Sequence, residues 1–261
     1  MDRILGAANR IAVARRMRTP LTALAPDIAP KDEAEGYAVQ RALHDLLLPH
    51  QGALVGYKIG CTSKVMQDYL GIAHPCAGGV FERGVHESGV RLASDGYVRV
   101  GVECEIAMRL ARDLAPSEEP FTAEWVMEAV DACHPAIEIV DDRYAEWATL
   151  GAPTLIADDF FAAGCVLGAP VARSHLPNLR EVRGRALVGG IEAGRGTGAD
   201  VLGHPGEALA WLANRLAIEG RGLYAGQLVL TGSLVKTVWL KAGDQVVMEL
   251  QGLGTVKAAF D

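Results

Sequence analysis

The chain has 261 residues, of which half are apolar, and its formal net charge is −7 at pH 7. This length suits one large domain or two small ones. The negative charge and an aromatic content of only 6% argue against a nucleic-acid-binding protein and against electrostatic attachment to anionic membranes. No apolar stretch of the sequence approaches the length of a membrane span.

The five cysteines are scattered along the chain and form no C-x-x-C pair. An odd number of cysteines without paired spacing argues against a disulfide framework and against a structural zinc site. We therefore expect free thiols, with the reducing cytoplasm as the compartment of the protein.

The first fifty residues are predicted to be mainly helical. Apolar residues recur at helical spacing over residues 3–17, and this pattern ends at the Thr19-Pro20 break. A second helical pattern follows Pro30. We expect residues 1–53 to form a small helical N-terminal part.

The remainder, residues 54–261, is predicted to form a mixed β core. The β-rich runs are residues 54–59, 97–110, 136–140, 161–167, 185–191, 227–231 and 245–250. Two helices interrupt them, at residues 122–132 with Thr122 as the N-cap and at residues 205–217 with Pro205 in the first helical position. The runs do not form a regular βαβ series, so an α+β fold is predicted.

Two glutamates lie on one face of the predicted strand at residues 97–110. At a period of two residues, Glu103 and Glu105 point the same way, about 6–7 Å apart, and the opposite face is apolar. Carboxylates this close repel each other unless a cation lies between them. Oxygen ligands of this kind suit Mg²⁺ or Mn²⁺.

A third carboxylate, Glu138, lies inside the next apolar run and needs a partner there. A three-glutamate metal site is one interpretation of these residues. The alternative is a solvent-exposed strand face on which the glutamates pair with Arg99 and Arg109. Spacing alone does not decide between the two.

Lys58 lies inside the first predicted strand and is followed by the hydroxyl residues Thr62 and Ser63. Burial between Tyr57 and Ile59 would lower the pKa of its amine and suit it to proton transfer. The hydroxyl and N–H groups of the following turn suit a substrate carboxylate. The alternative is a lysine that extends from a sheet edge into solvent.

The segment 194–199, GRGTGA, looks like a dinucleotide-binding glycine motif. No regular βαβ unit surrounds it, so we predict a turn there and no organic cofactor. His204 is predicted to shape the start of the following helix.

Five segments match one known family in order. They are residues 56–63 with 66–67, residues 102–107, residues 135–141, residues 203–205 with 209–214, and residues 226–233. Together they resemble the 2-keto-4-pentenoate hydratase and 4-oxalocrotonate decarboxylase family of the fumarylacetoacetate hydrolase superfamily. The resemblance implies a fumarylacetoacetate-hydrolase-type mixed β-sandwich roll with flanking helices, assembled as a homo-oligomer.

The resemblance also implies roles for individual residues. It implies one Mg²⁺ or Mn²⁺ ion held by Glu103, Glu105 and Glu138, and it maps the active-site lysine of the family onto Lys58. The residues implied to bind substrate are Thr62, Ser63, Gln67 and Ser233.

Three segments depart from the family pattern. Many members have E-P-D-Y-G at residues 74–78, where this chain has Cys76 at the acidic position. Val235 and Thr237 replace the usual Thr and Pro, and residues 157–161 read ADDFF where relatives have A-D-N followed by small residues. The first change puts an acid–base role at residue 76 in doubt. The others indicate an altered pocket and an atypical substrate.

The implied reaction is hydration of a small 2-hydroxy-2,4-dienoate, of the 2-hydroxypenta-2,4-dienoate type, to a 4-hydroxy-2-oxo acid in aromatic meta-cleavage catabolism. The metal would act as a Lewis acid and Lys58 would move protons. Decarboxylation of a 2-oxo-3-enedioate such as 4-oxalocrotonate needs nearly the same residues, so the sequence separates the two reactions poorly.

Two further alternatives remain. C–C hydrolysis of an acylpyruvate needs an activated water, usually supplied by a His–Glu pair. The sequence has no clear equivalent of that pair, although His44 and His74 have no other assigned role. A catalytically inactive partner of a neighbouring pathway enzyme is the non-enzyme alternative, and the retained glutamates and Lys58 argue against it. Association with such an enzyme is a further potential interaction.

Overall fold

The computed structural model describes residues 2–261, and its helices and strands follow in chain order. The helices are α1 (Arg3–Met17), α2 (Glu33–Gln51), α3 (Lys64–Leu70), α4 (Ala123–Ala129), α5 (Gly151–Ala157) and α6 (Pro205–Ile218). The strands are β1 (Leu54–Gly60), β2 (Cys76–Phe81), β3 (Val85–Glu87), β4 (Val90–Leu92), β5 (Val100–Leu110), β6 (Val130–Asp141), β7 (Ala162–Leu167), β8 (Val171–Ala172), β9 (Arg183–Val188), β10 (Ile191–Thr197), β11 (Leu228–Ser233), β12 (Val238–Trp239), β13 (Gln245–Leu250) and β14 (Gly254–Phe260).

Two mixed sheets organise these strands. The larger sheet has the order β2-β1-β11-β5-β6-β7-β3, with β12 paired to β5 and β8 paired to β6. The smaller sheet has the order β10-β9-β13-β14-β4. Parallel pairs, such as β1 with β11, occur beside antiparallel ones, such as β11 with β5. The α+β class and the mixed β core predicted from the sequence are confirmed.

The register between β5 and β6 determines which side chains can meet. Glu103 on β5 lies opposite Glu138 on β6, and Glu105 lies opposite Ala136. On the other side of β5, Ser233 at the end of β11 pairs with Glu105. Because alternate residues of a strand share a face, Glu103, Glu105 and Glu138 leave the same side of the sheet.

Helices α1 and α2 pack against each other, and α2 also packs on α5. The buried face of α1 carries Ala7, Ala8, Ile11 and Ala14, which is the helical spacing that the sequence predicted. The bounds of α1 agree with the predicted residues 3–17. The proposed division of the chain at residue 53 stays a prediction. None of the helices within residues 2–261 is long and apolar enough to cross a membrane.

The two predicted interior helices are present, with one boundary corrected. His204 caps α6 by accepting a hydrogen bond from Gly206 N at 2.9 Å, and Pro205 is the first helical residue. Thr122 caps α4 as predicted, but α4 ends at Ala129 and not at residue 132. The next residues instead pair with β5 and β8 as the start of β6, so strand pairing outweighs the local helical pattern.

One predicted strand and one predicted turn were wrong. The run at residues 185–191 is a hairpin, in which Gly189 and Gly190 connect β9 to β10 with φ values of 56° and 81°. Both values favour glycine. The predicted turn at residues 194–199 lies mostly inside β10, paired with β9. The short elements α3, α5 and β2 were not predicted, because their patterns are too brief to show a period.

Candidate active site

Three glutamates from two neighbouring strands form a buried cluster. One carboxylate oxygen from each of Glu103, Glu105 and Glu138 lies within 4.8 Å of the others. Glu105 and Glu138 are buried, and Glu103 is partly buried. The structure therefore brings together the three residues that the sequence assigned to a metal, and it does not support the alternative of a solvent-exposed glutamate face.

Two of the carboxylate oxygens in this cluster lack hydrogen-bond partners. Glu105 Oε2 accepts a hydrogen bond from Gly232 N at 2.9 Å, and Thr237 Oγ1 donates a hydrogen bond to Glu103. Within residues 2–261, however, Glu105 Oε1 and Glu138 Oε2 are buried without any partner. A buried carboxylate oxygen without a partner is energetically costly. A hard divalent cation can compensate such a set of oxygens, because it prefers carboxylate ligands. The donor set therefore fits Mg²⁺ or Mn²⁺.

The charges of the cluster raise the pKa values of two of its members. Burial and the charge of Glu138 raise the pKa of Glu103 to about 7. Burial and the charges of Glu138 and Glu103 raise the pKa of Glu105 well above its ordinary value. Because a cation among the carboxylates favours their ionised forms, metal binding would lower both pKa values.

Lys58 borders the cluster. Its Nζ lies 2.8 Å from Glu138 Oε1, and its side chain is buried, so it does not extend into solvent from a sheet edge. The sequence predicted a lowered pKa for the Lys58 amine. With the charges of the protein alone, this prediction is wrong. Burial does favour the neutral amine, but the charges of Glu138 and Glu103 outweigh it and raise the pKa of Lys58 above its ordinary value.

Thr62 lies beside the backbone that binds Glu105. A Cβ atom on Gly232 would lie 2.6 Å from Thr62 Cγ2, and Gly232 has a φ of 114°, so only glycine fits there. Thr62 is buried against Gly232, whose N–H donates to Glu105 Oε2, and its predicted role toward substrate stays a proposal.

The other three predicted substrate-binding residues make contacts within the chain. Ser63 is exposed and caps α3, with its Oγ accepting from Met66 N at 3.4 Å. Gln67 donates from Nε2 to Cys61 O at 3.0 Å. Ser233 donates from Oγ to Val235 O at 2.7 Å. Their predicted roles toward substrate stay proposals.

Sequence reasoning did not assign Thr237 or Phe160 to the site. Thr237 contacts Glu103, and the centroid of the Phe160 ring lies 5.6 Å from Lys58 Nζ. Both residues occur where the chain departs from the family pattern. The departures from the family pattern were therefore the sequence feature that could have identified these two residues as part of the site.

The other residues considered for acid–base chemistry are two histidines that pair with carboxylates and one buried cysteine. His44 Nε2 lies 2.6 Å from Asp159 Oδ1, and His74 Nε2 lies 3.0 Å from Glu33 Oε2. Cys76 is fully buried on β2, and burial raises the pKa of its thiol above the ordinary value. A neutral, buried thiol cannot replace the ionisable carboxyl group found there in many family members.

Comparisons with known proteins agree with this fold. Residues 84–261 match the family model described as fumarylacetoacetate (FAA) hydrolase C-terminal. The chain is 33% identical over 259 residues to a 2-keto-4-pentenoate hydratase of Paraburkholderia phymatum, covering 99% of this chain and 98% of that protein. It is 36% identical over 233 residues to the TodF product hydratase of Pseudomonas putida, covering 89% of this chain and 86% of that protein.

A solved structure has nearly the same fold over its whole length. The 4-oxalocrotonate decarboxylase from Pseudomonas putida G7, complexed with magnesium and adipate, has a TM-score of 0.92 at 26% identity. The match covers 99% of this chain and 97% of that one. The chain belongs to the fumarylacetoacetate hydrolase superfamily, and within it to the 2-keto-4-pentenoate hydratase and 4-oxalocrotonate decarboxylase family. The fold predicted from the resemblance is confirmed.

Proposed function

We propose that the protein is a metal-dependent hydratase that adds water to a 2-hydroxy-2,4-dienoate, of the 2-hydroxypenta-2,4-dienoate type, to give a 4-hydroxy-2-oxo acid. The observation that carries this proposal is the buried cluster of Glu103, Glu105 and Glu138 beside Lys58. Several curated relatives that match most of the chain are named as hydratases of such dienoates, which supports the same reaction and a role in aromatic catabolism.

The three glutamates would hold one Mg²⁺ or Mn²⁺ ion. When bound there, the ion would supply positive charge that stabilises negative charge on the substrate oxygens. The unpartnered oxygens of Glu105 and Glu138 support this assignment, as does the magnesium in the related decarboxylase structure. Gly232 and Thr237 orient Glu105 and Glu103 through their hydrogen bonds.

Lys58 would act as the proton carrier. Burial opposes a charge on this amine, but the charges of Glu138 and Glu103 raise its pKa and so favour the protonated form, which can donate a proton. It would give a proton to C5 of the dienoate, and the neutral amine would then take up the proton that the 2-hydroxyl group loses, which regenerates the lysine and converts the dienol into a conjugated 2-oxo acid. Water then adds its oxygen at C4 and a proton at C3, and the product is the 4-hydroxy-2-oxo acid.

Decarboxylation of a 2-oxo-3-enedioate is the second candidate, and the TM-score of 0.92 to a 4-oxalocrotonate decarboxylase favours its inclusion. Product analysis separates the two reactions. Purified enzyme with Mg²⁺ is mixed with 2-hydroxypenta-2,4-dienoate or with 4-oxalocrotonate, and NMR and CO₂ release are followed. A hydratase converts the dienoate to 4-hydroxy-2-oxopentanoate without CO₂. Release of CO₂ from the enedioate, with the dienoate unchanged, would reject the proposal.

We further propose a homo-oligomer located in the cytoplasm. Large apolar side chains project from the outer face of α1, where Leu5, Val13 and Met17 are 47%, 41% and 62% exposed. A second copy is the simplest cover for such a face. The five cysteines are free and buried, which suits a reducing compartment. Analytical ultracentrifugation tests the assembly, and a purely monomeric species at micromolar concentration would reject it.

A further inference from the structure

The backbone takes an uncommon conformation directly before β7. Asp159, Phe160 and Phe161 have φ values of 55°, 49° and 69° in succession. The left-handed region is costly for any residue with a bulky side chain, and three such residues in a row persist only when the surroundings enforce them. This segment, residues 159–161, is called the left-handed segment below.

Buried charges hold the left-handed segment in place. The Asp159 carboxylate lies 2.6 Å from His44 Nε2 and 3.0 Å from Arg15 Nη2, and it accepts a hydrogen bond from Gly79 N at 2.8 Å. These partners belong to α2, α1 and β2. The segment is therefore anchored to three elements of the fold at once, and its position does not depend on the loop alone.

The anchored backbone directs the Phe160 ring at the catalytic lysine. The ring centroid lies 5.6 Å from Lys58 Nζ. A Cβ atom on Gly60 would lie 2.9 Å from the Phe160 ring and 3.3 Å from Lys58 Nζ. The Phe160 ring and the Lys58 amine therefore both lie close to Gly60, and the ring occupies the space next to Lys58 Nζ.

Further aromatic rings extend this surface. Phe161 lies 5.7 Å from Phe160, Trp147 lies 5.9 Å from Phe161, and Tyr69 lies 5.3 Å from Trp147, measured between ring centroids. Tyr69 belongs to α3, the helix that follows the Thr62-Ser63 turn. These four rings, called the aromatic wall below, run from Lys58 to α3.

The cations near the left-handed segment already have anionic partners. Within residues 2–261, Arg15 pairs with Asp158 and Asp159, and Arg143 pairs with Asp158 at 3.2 Å. Lys58 itself pairs with Glu138. A second substrate carboxylate beside the Phe160 ring, which is only 5% exposed, would therefore lie away from solvent without a free cation to balance it, which is unfavourable.

We propose that Phe160 is a specificity-determining residue, whose fixed ring restricts the site to dienoates with a short, uncharged end distal to C1. This inference rests on the proposed hydratase function and names the substrate class within it. Dienoates ending in hydrogen or methyl fit beside the ring. A phenyl group collides with it, and a distal carboxylate lacks a partner.

The test measures kcat/KM with Mg²⁺ for 2-hydroxy-2,4-dienoates that carry hydrogen, methyl or phenyl at the distal end. The wild type should favour hydrogen or methyl over phenyl by about 10-fold or more, the scale at which a pocket discriminates by size. Phe160→Ala should remove most of this preference by admitting the phenyl group, and Phe160→Leu should remove part of it. Phe121→Ala is the matched control, since Phe121 and Phe160 are both 5% exposed. It should leave the preference unchanged.

Binding of saturated 2-oxo acids with the same three ends and with a distal carboxylate, measured by calorimetry with Mg²⁺, reports pocket size without turnover. The wild type should bind the methyl compound more tightly than the phenyl and carboxylate compounds, and Phe160→Ala or Phe160→Leu should bind the phenyl compound more tightly than the wild type does. Folded, metal-loaded Phe160 variants whose phenyl-to-methyl ratio stays within twofold of the wild type would overturn the inference, as would a wild type that prefers either larger end. Failure of the hydratase proposal is a separate result, in which no dienoate is consumed although the binding preference is measurable.

Discussion

Lys58 Nζ lies 2.8 Å from Glu138 Oε1, although β11 and β5 separate their two strands in the sheet. The contact is made by side chains above the sheet and not by strand pairing. It joins the buried amine of Lys58 to a carboxylate that also belongs to the three-glutamate cluster. Metal binding and proton transfer are therefore expected in one place, and they can be separated by mutation.

Replacement of Lys58 by Met should lower kcat by roughly 10²–10⁴ because the side chain keeps its volume but can no longer carry a proton. Substrate affinity should change much less. The measurement is kcat per folded, metal-loaded site. Lys64→Met is the control, because Lys64 is exposed and pairs with Asp68 on α3, away from the glutamate cluster. Turnover within a few-fold of the wild type in Lys58→Met would remove Lys58 from the mechanism.

Replacement of Glu105 by Gln should weaken Mg²⁺ binding by more than about 10-fold, since even indirect partners of metal ligands contribute 10–100-fold. The fold should persist because the amide keeps the shape of the carboxyl group and can still accept from Gly232 N. Calorimetry measures the affinity and circular dichroism the fold. Glu249→Gln, which changes a partly exposed glutamate paired with Arg185, is the control. Equal affinity in Glu105→Gln and the wild type would reject the assignment.

Magnesium affinity should fall as the pH drops from 8 to 6. The pKa of Glu103 is raised to about 7, so this ligand is mostly protonated at pH 6 and mostly ionised at pH 8. Only the ionised form binds a metal, and binding must therefore release protons near pH 7. Calorimetry in two buffers of different ionisation enthalpy measures that release. A proton release of zero, with affinity independent of pH, would contradict the raised pKa.

Replacement of Asp159 by Asn should lower the free energy of unfolding at pH 7 by about 3 kcal/mol, the cost of breaking a buried ion pair. Burial alone would raise the pKa of Asp159, but His44 and Arg15 hold it below its usual range. A depressed carboxyl pKa stabilises the fold at pH values above about 4 and loses that effect as the pH falls toward the folded pKa. The difference between the two proteins should therefore shrink below about pH 4. Urea unfolding at several pH values measures this difference in the free energy of unfolding. Equal stability of the two proteins at pH 7 would show that the contacts of Asp159 with His44 and Arg15 do not stabilise the fold.

The alternation of residues along a strand was enough to predict that Glu103 and Glu105 share a face, because a period of two is a local property. The strand that pairs with the Glu138 strand cannot be predicted from local sequence. The sequence alone left a three-glutamate site as one of two interpretations, and the family resemblance was needed to favour it. The predicted direction of the Lys58 pKa shift was wrong for the same reason. It depends on Glu138 and Glu103, which lie far away in the sequence.

Elements whose form depends on tertiary pairing were also missed. Residues 185–191 carry a plausible apolar pattern for one strand, yet the two central glycines make a hairpin that pairs with β13. The conformation of Phe160 is likewise set by charges on α1 and α2, acting through Asp159. The sequence of that segment departs from the family pattern, but no local rule predicts that two phenylalanines adopt a left-handed backbone conformation.

Titration of Mg²⁺ into EDTA-treated enzyme, followed by the absorbance of 2-hydroxypenta-2,4-dienoate, tests directly whether the three glutamates hold a catalytic metal. We expect no turnover without metal, recovery in proportion to one Mg²⁺ per chain, and a shift of the titration to higher Mg²⁺ in Glu105→Gln. Full turnover by the metal-free wild type, or recovery of Glu105→Gln at the same Mg²⁺ concentration as the wild type, would contradict a catalytic metal at this site.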